Sequence, residues 1–131
     1  MGDSYIKKRK DLTPNKHIQR IAIKEIMKES DWKIFKEIKQ NAIYKFCDIA
    51  LSEFDDVIKV KSENSHERYT LLYKLIENRD KQMALLFDGH SRSKAHLQLL
   101  AIRAEGLADE ALLNNLSEEF RLQTDPKRVG W

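Results

Sequence analysis

From Trp32 to Phe54 the apolar residues fall at Trp32, Phe35, Ile38, Ala42, Ile43, Phe46, Ile49, Ala50 and Phe54, mostly three or four apart. Residues at that spacing share one face of an α-helix, so the pattern predicts a long amphipathic helix over about 31–58. A second run, Tyr69, Leu72, Tyr73, Leu75, Ile76, Met83, Leu86 and Phe87, predicts another over 66–88. At ~1.5 Å per residue that helix spans roughly 33 Å, a full bundle-length element. The polar segment KVKSENSHE, residues 59–67, joins the two, with Ser65 the expected helix cap. Two long helices across so short a connection favour an antiparallel hairpin.

Little in the chain punctuates strands. There are four Gly and two Pro in 131 residues, and VIKV (57–60) is the one β-branched run. No strand–helix alternation appears, so the fold class expected is all-α. The architecture expected is a small bundle of about five helices built around the long antiparallel hairpin.

The other elements follow from caps and breakers. Residues 1–12 lack apolar periodicity and read as a flexible basic arm. Thr13-Pro14 is a helix start, since Thr caps free amides and Pro carries the φ of a first helical residue. That helix runs to about Glu29, where Ser30-Asp31 offers a new cap or a polar interruption. Asp88-Gly89 ends the second long helix, glycine being the usual left-handed C-terminal residue. A further helix is predicted over 94–105, with Leu97, Leu100 and Ala101 inward, ended by Gly106. The last helical stretch starts near Ala108 and carries Leu112, Leu113, Leu116 and Phe120. A break at Asn114-Asn115 would let Ser117-Glu118-Glu119 start afresh. The expected organisation is an arm (1–12), one helical domain (13–123) and a tail (124–131).

At this length one domain buries roughly two-thirds of its unfolded surface, and 41% hydrophobic residues exclude a disordered chain. The single cysteine, Cys47, fits a reducing compartment and reads as a small buried residue. The basic N-terminus lacks the apolar core of a secretory signal. The longest clean apolar run, Met83 to Phe87, falls far short of the ~20 residues that span a bilayer. The expectation is a soluble cytoplasmic protein without a membrane partner.

Charge is unevenly spread. Residues 1–45 hold twelve Lys and Arg against six Asp and Glu, and the remainder twelve against fifteen. Lys16, Arg20, Lys24 and Lys28 recur every four residues, below the KKRK of Lys7, Lys8, Arg9 and Lys10. Like charges at that spacing repel, whereas along a phosphate backbone they would release counterions. These eight residues are the candidate nucleic-acid or anion contacts, and Lys33, Lys36 and Lys39 could extend them. Against that reading, Glu25 and Glu29 lie beside the ridge, and the aromatics occupy periodic core positions rather than a base-stacking platform.

Ser91, Arg92, Ser93 and Lys94 form a candidate small-anion site at a helix start; the favoured explanation for them is the ordinary one, a polar loop with a serine cap. Glu63-Asn64-Ser65-His66 has the Glu-x-x-His spacing of carboxylate-bridged metal bundles, but those sites need two copies on facing helices. Cys47 has no second cysteine for a zinc cage. Asp55-Asp56 and Glu118-Glu119 are neighbours whose side chains diverge by about 100° and cannot face each other as acid and base. No cofactor, metal or catalytic role is expected. Trp131 is a candidate partner anchor, tryptophan being favoured at interface centres.

The function expected is therefore non-enzymatic. The chain acts by protein–protein interaction, as an adaptor or regulatory module, with homodimerisation one form of it. The alternative is a nucleic-acid binder using the arm and the first helix.

Overall fold

In the computed structural model, residues 27–61 and 64–131 are described. Five helices appear among them: α1 Glu29–Lys59, α2 Ser65–Phe87, α3 Arg92–Ala104, α4 Glu110–Leu113 and α5 Glu118–Gln123. No described residue is in a strand, and the fold is a small all-α bundle. No described helix is long and apolar enough to cross a membrane. The expected arm (1–12) and most of the expected first helix (13–29) lie outside the described residues.

Helix ends follow local chemistry, with three departures from expectation. Ser91 stands at the cap position of α3, which starts at Arg92, but makes no side-chain cap bond. The cap of α2 is Asn64 and not Ser65: its side chain accepts from the Glu67 amide at 2.7 Å, and Ser65 is the first helical residue. The cap position of α1 is Lys28, extended and without a side-chain cap bond, so Ser30 and Asp31 both fall inside the first turn. Elsewhere the breakers act where expected. Gly106, at φ +71°, closes α3 in a Schellman turn: Leu107 N–H donates to Ile102 O and Gly106 N–H to Arg103 O, both at 3.0 Å. Leu107 then packs into the core above Ile102. Asn114-Asn115 separates α4 from α5, whose cap Ser117 accepts from the Phe120 amide.

The core gathers on the N-terminal part of α1. Phe35, Ile38 and Ala42 meet Ala95, Leu99 and Ile102 of α3, together with Leu113, Leu116 and Phe120. Phe87, at the very end of α2, is that helix's one buried residue. The predicted inward set for α3 is corrected. Leu97 is exposed, and the buried face is Ala95, Gln98, Leu99, Leu100 and Ile102. Both patterns fit a 3.6-residue repeat, and packing against α1 decides which face is covered.

Contacts between α1 and α2 run in opposite sequence order. Arg68 donates to Ile58 O, Arg79 grips Glu53 through two bonds of 2.6 and 2.9 Å, and Phe46 meets the edge of Phe87 at 6.0 Å. The Arg79 hydrogen bonds hold the Glu53 carboxyl below its ordinary range.

Three buried polar side chains brace the bundle. Asp31 accepts from Ser117 N–H at 2.8 Å and from Ser117 Oγ at 2.6 Å. Lys39 Nζ donates to Gly89 O at 2.7 Å, and Gln98 Nε2 reaches Asp88 O and Gly89 O, both at 2.9 Å. Burial lowers the Lys39 pKa, with Asp88 opposing and Lys94 adding to the shift. Lys39 is thus an interior tether and does not extend a basic surface. Lys36 lies over the Trp32 ring at 5.7 Å.

His96 of α3 tilts against Phe120, 6.2 Å between centroids, and its buried Nε2 has no hydrogen-bond partner. Burial holds its pKa below the ordinary 6.5. The folded state therefore keeps the neutral ring, while the unfolded chain takes up a proton as pH falls through about 6.5. Stability should drop from that pH downward and level off below the folded pKa. In His96→Gln this component should disappear. Urea midpoints at about pH 7.5 and about pH 5.5 measure it, and equal acid sensitivity in both proteins would refute it.

Candidate functional site

The distal parts of α1 and α2, beyond the core, carry more apolar side chain than their mutual contact uses. On α1 the half-buried seam toward α2 is Ile43, Phe46, Glu53 and Val57, with Ala50 buried; on α2 it is Arg68, Leu72, Leu75, Arg79 and Leu86. Beside each seam runs a second stripe. Cys47, Leu51, Phe54 and Ile58 follow a four–three–four spacing on α1. Tyr69, Tyr73, Ile76, Asp80 and Met83 follow it on α2. That spacing is the seam of a coiled coil, repeating every 3.5 residues.

Parts of both outer stripes line one trough of about 240 Å³, formed by Phe46, Cys47, Ala50, Leu51 and Phe54 from α1 and by Ile76, Arg79, Asp80 and Met83 from α2, while Ile58, Tyr69 and Tyr73 continue the stripes beyond it. Its walls are almost wholly apolar, and only Arg79 and Asp80 bring charge. The stripes are open to solvent: Leu51 is 61% exposed, Ile58 54%, Tyr69 71%, Tyr73 58% and Ile76 43%. Scattered exposed apolar residues are ordinary, whereas a contiguous set in a groove marks a surface that another surface covers. The Arg79–Glu53 pair bridges the two helices beside the trough. Cys47, expected to be buried, is half-buried and forms part of the wall.

The other candidates are placed as follows. Lys7, Lys8, Arg9, Lys10, Lys16, Arg20 and Lys24 lie outside the described residues, and Lys28 stands at the start of α1. Ser91 and Ser93 approach each other, with 3.2 Å between their hydroxyls. Arg92 turns to Glu29 at 2.7 Å and lies over the Trp32 ring at 5.3 Å, so the loop's strongest cation already has two partners. Trp32 is buried, packed on Phe35 and His90.

The tail turns back on itself, Trp131 N–H donating to Pro126 O at 2.9 Å, and leaves the Trp131 ring exposed. That ring borders a cleft of about 630 Å³ with Lys45, Arg103, Lys127, Glu110 and Asp125. Two of its cations are engaged within the fold. Lys45 donates to Gly106 O, and Arg103 to Arg121 O and to the Thr124 hydroxyl. Among the described residues no three His, Cys, Asp or Glu side chains converge as metal ligands would.

Leu51, in the trough wall, and Ile58, beyond it on the same stripe, fall off the apolar repeat first read along this helix. The four–three–four spacing from Cys47 was the signal that could have found them. No known protein family, curated protein or solved structure matches this chain.

Proposed function

We propose that this chain is a non-enzymatic helical module that acts by protein–protein interaction, through the trough between the distal parts of α1 and α2. The observation that carries the reading is the paired exposed stripe, Cys47–Leu51–Phe54–Ile58 beside Tyr69–Tyr73–Ile76–Met83. Its chemistry selects a helical surface with its own apolar residues every third and fourth position, because such knobs fill the spaces left between residues four apart. The buried polar groups Asp31, Lys39 and Gln98 support a structural rather than a chemical role, each having a main-chain or hydroxyl partner within the fold. The single free cysteine suits a reducing compartment such as the cytoplasm.

The test is a methyl NMR titration with an amphipathic peptide carrying Leu and Ile at the first and fourth places of each heptad. Saturable shifts are expected at Leu51, Ile58, Ile76 and Met83, with Leu99 and Ile102 of the core unmoved. A scrambled peptide of equal composition should leave the spectrum unchanged. In a monomeric sample, the absence of any saturable shift at about millimolar peptide, a Kd weaker than ~4 kcal/mol of binding, would end the reading.

A further inference from the structure

We infer that the occupant of the trough is a second copy of this chain, packed trough to trough about a twofold axis so that two α1–α2 pairs form a four-helix bundle. The inference rests on the trough being an interaction surface and names its partner.

Three observations select a second copy. The trough offers two coiled-coil stripes side by side, and a single partner helix would leave part of them uncovered. A second α1–α2 pair brings two stripes of the same period and can interdigitate with both, at the shallow crossing angle of four-helix bundles.

The charges are also self-complementary. From Cys47 to Ile58, α1 carries Asp48, Glu53, Asp55 and Asp56 and no cation. From Tyr69 to Met83, α2 carries Lys74, Arg79 and Lys81 against Glu77 and Asp80. A twofold interface applies the same patch twice. Glu53 pairs with Arg79 and Asp55 with Lys59 inside the protomer. Setting α1 of one copy against α2 of the other places Asp48 and Asp56 beside the helix that carries Lys74 and Lys81, while α1 against α1 would set acids against acids.

The available area is of the right order. Leu51, Ile58, Tyr69, Tyr73 and Ile76, exposed by 43 to 71%, present on the order of 500 Å² of apolar surface. With half-buried Phe54 and Met83 and the charged rim, this approaches the ~800 Å² per partner of a stable complex.

Sedimentation equilibrium of the full chain, from about 1 to about 300 μM, tests it. The expected mass rises with concentration from 15.4 kDa to twice that value. Leu51→Glu and Tyr73→Glu should each weaken association by at least ~30-fold, as a buried interface centre does. Both side chains are exposed in the protomer, so far-UV circular dichroism should hold, and the thermal midpoint should match that of the wild type at concentrations where it is monomeric. Leu85→Glu, on an exposed residue off the stripe, should leave the dimer intact.

A mass of 15.4 kDa throughout would overturn the inference. So would a dimer that Leu51→Glu and Tyr73→Glu leave untouched. A monomer whose trough still binds the heptad peptide would sink the second-copy inference alone. A monomer without peptide shifts would sink the interaction reading as well.

Discussion

Phe120→Ala should lower the stability of this protein by ~3–5 kcal/mol, the range for truncating a fully buried phenylalanine. Phe120 has no exposed surface and sits on α5, a helix of six residues. So short a helix does not persist alone, because nucleation outweighs the few hydrogen bonds it makes. Phe120 therefore holds α5 against α3 as well as filling space beside His96. Its carbonyl accepts from buried Thr124, which also receives Arg103, so release of α5 disturbs the start of the tail. Against a typical total of ~5–15 kcal/mol, the loss is a large share. Urea unfolding followed by circular dichroism measures it. Leu97→Ala, on the exposed face of α3, should stay within about 0.5 kcal/mol. A loss below about 1 kcal/mol for Phe120→Ala would show that α5 is not part of the cooperative core.

Asp31→Ala should cost ~2–4 kcal/mol, the second largest effect expected. The Asp31 carboxylate is 1% exposed and receives both the amide and the hydroxyl of Ser117, 86 residues away. Bonds to a charged acceptor are worth ~1.5–3 kcal/mol each, and removal of the acceptor leaves the Ser117 N–H without its partner. Asp31→Asn keeps one acceptor and should lose less. Ser117→Ala removes one of the two bonds together with the α5 cap, so the Asp31→Ala, Ser117→Ala double variant should fall short of the sum of the singles. Strict additivity would mean that the two residues do not act as one clasp.

Much of the architecture was legible in sequence because its causes are local. The helices at Trp32–Phe54 and Tyr69–Phe87 follow from apolar spacing, and the ends at Gly89, Gly106 and Asn114-Asn115 from the limited means by which a chain leaves a helix. Errors of one residue came from the same scale. Asn64 and Ser65 are both good caps, and which one serves depends on the backbone angle at the entry. The candidate site was less legible. Not all of the residues that line the trough follow from the periodicity first read. Ala50 lies on the repeat and is buried, whereas the larger and more apolar Leu51, one residue further on, stays open.

By itself the sequence determined that the chain is helical and where most of its helices stop, since hydrogen bonds and φ preferences act within a few residues. The tertiary structure alone decided which side chains are covered. Lys39 has the composition of a surface residue but lies inside, because Gly89 O, 50 residues on, stands where it can accept its proton. Leu97 has the composition of a core residue but lies outside, because the segment that α3 packs against covers its other face. Burial is a property of two surfaces, and the second of them is distant in the chain or, on the proposal above, in another copy of it.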